Sequence, residues 1–107
     1  MGKAWVYLLI AGVLEVVWAM GLKYSHGFTK LYPSLITICG MVISFYLLSL
    51  ATKSLPIGTA YAIWTGIGAL GAVLLGIFLF NEPVNILRIA FLFLILVGIL
   101  GLKLTSA

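Results

Sequence analysis

Charge is what this sequence lacks most. Its 107 residues hold no aspartate, two glutamates and six lysines or arginines, so 7% are charged while 64% are apolar. A water-soluble domain needs about a quarter of its residues charged to cover its surface, and a mean hydropathy of +1.32 excludes that class. Cysteine is nearly absent too: Cys39 stands alone, so no intrachain disulfide can form, and the reading that fits it is a small buried or lipid-facing residue. Metal-ligand spacing, a Ser/His/Asp set and a phosphate loop are all missing, which leaves no basis for an enzyme, a metal site or an organic cofactor. Basic runs are missing as well. Lys3, Lys23, Lys30, Lys53, Arg88 and Lys103 occur singly, which argues against a nucleic-acid partner and reads instead as the edge of a membrane.

What is present is apolar and divided into four blocks: 4–22, 33–51, 57–80 and 84–102. A hydrocarbon core of roughly 30 Å needs about 20 helical residues at ~1.5 Å rise, so each block can span a bilayer, with the third tilted or kinked. The first reads as a retained helix instead of a cleaved leader, since Glu15 interrupts it and no small-residue cleavage site follows. The loops between blocks are too short to hold a domain. The fold class is therefore an all-α integral membrane protein of four transmembrane helices, a single multi-pass unit working inside the lipid bilayer. Arg88, near the start of the fourth block, can snorkel to the headgroups. Asn81-Glu82-Pro83 reads as the cap and first turn of the fourth helix, with Glu82 at the positive end of its dipole. His26, beside Gly27, reads as a solvated turn residue.

Lysine and arginine normally collect in cytoplasmic loops and fix orientation. Here Lys3, Lys53 and Lys103 fall on one side and Lys23, Lys30 and Arg88 on the other. That even division predicts insertion in both orientations and an antiparallel homodimer; the competing reading is one fixed topology set by subtler features. Four helices do not easily enclose an aqueous path, whereas two inverted halves with a site at the midplane do.

Glu15 is the residue that carries chemistry. It sits near the middle of the first span, where a carboxylate costs several kcal/mol unless it faces a cavity, finds a partner or takes a proton. A carboxylate that takes and releases a proton can exchange it for a cation; the bland alternative is a protonated Glu serving as interhelical glue. Helical spacing places Gly12 and Trp18 beside it, and Trp18, one turn on, is positioned to donate its indole N–H to the carboxylate. Ser44 lies at mid-depth of the second span, and Tyr61 and Trp64 lie one turn apart in the third. These are the donors a buried carboxylate needs, and their rings offer π faces to a cation; the competing reading of the aromatics is a membrane-interface belt or packing. Gly66 to Gly71 matches GxGxxG, but it lies inside an apolar helix with no preceding strand, so dinucleotide binding is rejected. Closely spaced glycines there mark a kink or a close helix contact. In the fourth span Gly98 and Gly101 permit close approach of another helix, which suits a dimer contact.

These residues match a known pattern. The chain resembles the small multidrug resistance family over its whole length: four spans, a lone first-helix Glu, LKYSHGFTKLYPS after it, and IGTAYAIWTGIGA opening the third. EVVWAMGLK, with Trp18 three positions after Glu15, and GTAYAIWTGIGALGA are similar to the guanidinium-exporter subtype. The resemblance implies a proton-coupled antiporter in a bacterial inner membrane, acting as an antiparallel dimer in which both copies of Glu15 bind either a guanidinium-type cation or protons. It implies that Trp18, Ser44, Tyr61 and Trp64 form the hydrogen-bonding shell of Glu15, that Gly12 lines the site, that Gly66 and Gly68 form the third-helix kink, and that Gly98 lies in the dimer-forming helix. Two readings compete: an exporter of bulkier quaternary ammonium or polyaromatic cations, with the same Glu15 in a looser pocket, and a non-transporting membrane scaffold.

Overall fold

In a computed structural model of the chain, which describes residues 2–105, four helices follow one another: α1 (Gly2–Tyr24), α2 (Leu31–Ala51), α3 (Ile57–Phe80) and α4 (Ile86–Thr105). All four are long and apolar enough to cross a membrane, and no strand occurs among the described residues. Helices are the solution the sequence demands, because a lipid-exposed backbone must satisfy its own N–H and C=O groups.

The α3–α4 junction differs from the sequence expectation. Asn81 adopts the left-handed conformation (φ 52°, ψ 39°), and its N–H donates to the Gly76 carbonyl, so it closes α3 instead of opening α4. Asparagine tolerates this geometry better than other residues with a β-carbon. The N-cap of α4 is Asn85, whose side-chain oxygen accepts the Arg88 N–H at 2.9 Å. The fourth helix accordingly begins two residues later than the apolar block and continues past its end to Thr105. In the α1–α2 turn His26, Gly27 and Phe28 all have positive φ. Ser25 is the buried centre of this turn: its hydroxyl donates to the Leu22 carbonyl at 2.7 Å and accepts the Phe28 N–H at 3.1 Å. His26 stands exposed there.

α1 is the central element. It packs along both α2 and α3, α2 and α3 meet lightly, and the α4 backbone approaches α3 alone. The molecule is a slab of 42 × 35 × 17 Å. Its core lies towards one membrane face, where Ala4, Leu8 and Ala11 of α1 meet Ala51, Leu55, Ala60, Ile63 and Trp64. Lipid tails are as apolar as leucine, so helices gain from close fit instead of from burial, and small residues supply that fit. No residue of α4 is buried, and a β-carbon placed on Gly98 would meet nothing within 4 Å.

The two ends of the slab are tied differently. At one face the Lys103 ammonium lies 5.6 Å from the centre of the Trp5 ring. At the other, Lys23 Nζ approaches Glu82 Oε2 at 4.0 Å and lies 4.6 Å from the centre of the Phe80 ring.

Candidate functional site

The site is built outward from the middle of α1. Leu8 and Ala11 face the core, and the same stripe carries Glu15 one turn further on, half-buried against α3. The α3 residue opposite is Gly68: a β-carbon there would overlap Oε1 and Cδ of Glu15, so the carboxylate rests directly on the α3 backbone. Only a residue without a side chain leaves that space. Gly66 serves a different neighbour, since a β-carbon on it would meet Ile99 Cδ1 of α4 at 2.9 Å. α3 runs unbroken through both glycines, and the contact role is the one the geometry displays. Gly12 likewise receives Ile67, so it packs α1 against α3 just before Glu15.

Ser44 joins three helices. Its hydroxyl donates to the Ala11 carbonyl of α1 at 2.7 Å and accepts the indole N–H of Trp64 from α3 at 2.9 Å. Ala11 precedes Glu15 by four residues, so its carbonyl is also the one that the Glu15 amide reaches within the helix. The network thus holds the backbone turn that carries the carboxylate and does not touch the carboxylate itself. Ser44 is fully buried, and loss of its hydroxyl leaves the Trp64 N–H without an acceptor. Ser44→Ala is therefore expected to lower stability by about 1–2 kcal/mol, read as a drop in the thermal midpoint in detergent. An unchanged midpoint would show that the three helices hold without this link.

Aromatic rings continue from the network in a row. Phe45 stands between Trp18 (centroids 6.3 Å apart) and Trp64 (5.6 Å), and Tyr61 follows Trp64 at 5.6 Å. Phe45 was not singled out from the sequence, because it neighbours Ser44 and so points about 100° away from it on the helix; ring size lets it reach the row regardless. Trp18 packs its Cβ over Gly40, which brings α1 and α2 close at this level. Tyr61, by contrast, is 55% exposed.

The expected hydrogen bond from Trp18 to Glu15 is not made. Trp18 Nε1 and Glu15 Oε1 are both buried and neither has a hydrogen-bond partner. Ser44 and Trp64 bond to each other's network instead. Among the described residues no cationic side chain pairs with Glu15, and no group of three His, Cys, Asp or Glu gathers for a metal. The chain therefore presents an acceptor oxygen and a separate indole donor, both unsatisfied, at mid-membrane beside a row of π faces. Buried polar atoms left in this state are costly, and a carboxylate oxygen of this kind is suited to a partner that brings N–H donors.

Comparison with known proteins identifies the family. The family model described as Small Multidrug Resistance protein matches residues 3–95. Proteins named guanidinium exporter are similar across almost the full length: one from Escherichia coli (strain K12) is 59% identical over 103 residues, covering 96% of this chain and 98% of its own. One from Yersinia pestis is 61% identical, with 96% and 99% covered. One from Salmonella typhimurium is 62% identical, with 96% and 98% covered.

Proposed function

Because the chain belongs to the small multidrug resistance family, we propose that it exports guanidinium and small substituted guanidinium cations in exchange for protons, by alternating access at a midplane pair of Glu15 residues from two antiparallel copies. The family is one of transporters and not of enzymes, and four spans make this a multi-pass inner-membrane protein. The observation that carries the proposal is the Glu15 carboxylate: half-buried on Gly68, with one oxygen lacking any protein partner.

Chemistry favours guanidinium for such a seat. The cation is planar, weakly hydrated and presents paired N–H donors that match a carboxylate bidentately, whereas sodium or ammonium surrenders more hydration on entering an aromatic-lined space. Trp18 then uses its free indole N–H to steady a carboxylate once the second copy closes the site, and Tyr61, exposed in the single chain, is covered in the same step. The fourth helix is the natural seam between copies: nothing on it is buried, Gly98 offers open backbone, and the even distribution of basic residues permits the two orientations. Bending of α3 near Gly66 and Gly68 would let the two faces open in turn.

Protons and guanidinium compete for the same oxygens in this scheme. A proton on Glu15 removes the charge that holds the cation, so guanidinium affinity is expected to fall as pH falls. The deciding experiment is a guanidinium gradient across proteoliposomes with a pH-sensitive dye inside. Proton movement opposite to guanidinium, with affinity that weakens from about pH 8 to pH 6, is the expected result. Guanidinium flux without proton flux, or an affinity indifferent to pH, would refute the exchange. Proton flux with quaternary ammonium ions but not guanidinium would favour the looser-pocket exporter.

A further inference from the structure

Among the described residues Arg88 is a cation without an anion. It lies in the first turn of α4, partly buried, and its Nε has no solvent contact and no hydrogen-bond partner. Glu82, the one carboxylate at this end of the slab among the described residues, is engaged elsewhere: it approaches Lys23 and rests on Gly76. Beside Arg88 the surfaces of α3 and α4 part to leave a crevice of about 180 Å³, whose other lining residues are Val73, Phe91, Leu92 and Ile95. One fork of hydrogen-bond donors thus stands at the edge of an otherwise apolar slot.

Depth and charge identify what fits. The first turn of a membrane-spanning helix lies at the level of the headgroups, where the available anions are lipid phosphates. An arginine fork donates to phosphate oxygens in pairs, and the apolar walls suit an acyl chain running away from it. Lys23, Lys30 and Arg88 outnumber Glu82 at this face, which favours a lipid of net negative charge over a zwitterionic one. Lys103 at the opposite face differs: its side chain is exposed and its ammonium sits over the Trp5 ring, and an ammonium lacks the planar fork of a guanidinium. We propose that the Arg88 crevice binds an anionic phospholipid, with the phosphate on the guanidinium and one acyl chain along Phe91, Leu92 and Ile95 against Val73. This site is separate from Glu15 and does not rest on the transport reading.

Native mass spectrometry of the full chain, released from detergent after incubation with phosphatidylglycerol or phosphatidylcholine, tests it. The chain is expected to retain phosphatidylglycerol in preference to phosphatidylcholine. Arg88→Gln is expected to lose that preference by about fivefold or more, while Lys103→Gln keeps it. Arg88→Lys preserves charge and depth and is expected to lose most of the retention, because an ammonium lacks the fork; a thermal midpoint in detergent equal to the parent's in both Arg88 variants excludes a folding failure. Equal retention of the two lipids, full retention by either Arg88 variant, or an equal loss in Lys103→Gln would each overturn the site. Displacement of phosphatidylglycerol by excess inorganic phosphate would overturn it too, by showing a site for a free anion.

Discussion

Glu15→Gln is expected to abolish guanidinium-driven proton movement while leaving the folded protein intact. The amide preserves the shape that rests on Gly68 but cannot release a proton or balance a cation. Removing a half-buried charge that has no protein cation beside it also removes a desolvation cost, so the thermal midpoint in detergent is expected to equal or exceed that of the parent. Guanidinium binding by titration calorimetry is expected to vanish at every pH. Proton flux persisting in an intact Gln variant would place the exchange at another group and end the mechanism proposed for Glu15. A collapsed variant would instead assign Glu15 to packing, the interhelical-glue reading.

Gly68→Val is the second large effect expected. A β-carbon at this position already overlaps the Glu15 carboxylate, and a branched side chain excludes it from its seat altogether. Overpacking of this kind costs about 1–3 kcal/mol, which corresponds to a loss of guanidinium affinity of about fivefold to 150-fold if the strain is relieved by moving the carboxylate. Gly66→Ala supplies the comparison, because its β-carbon meets the outer part of the Ile99 side chain (Cδ1 at 2.9 Å, Cγ1 at 3.1 Å) and Ile95 Cγ2 at 3.5 Å, and not the carboxylate. Affinity is expected to change little there. Similar losses in the two variants would mean that the glycines act through backbone flexibility, as a hinge, and not through the carboxylate contact at Gly68.

Much of the architecture was legible because a bilayer simplifies the code. Apolar block length maps onto span length with little ambiguity, so the 57–80 block and α3 have the same limits. A lone carboxylate in such a block stands out by its cost, which is why Glu15 is visible without any alignment. Face assignment within a span followed from helical period: Leu8 and Ala11, on the α1 stripe that carries Glu15, are buried. Helix ends were less legible, since Asn81 and Asn85 are both acceptable caps by composition, and the choice depends on whether the chain turns left-handed at the first or bonds the Arg88 amide at the second.

What the sequence determined by itself is therefore the set of spans, the buried carboxylate and the even charge balance, each a property of one segment measured against lipid. Tertiary structure alone decided that Ser44 bonds Ala11 and Trp64 instead of Glu15, that Phe45 joins the aromatic row, that Gly68 seats the carboxylate, and that the Trp18 and Arg88 donors stay unpaired. Those outcomes depend on the relative height and rotation of packed helices, where a shift of one residue moves a side chain by about 1.5 Å and 100°. Periodicity within a helix carries no information about that register between helices.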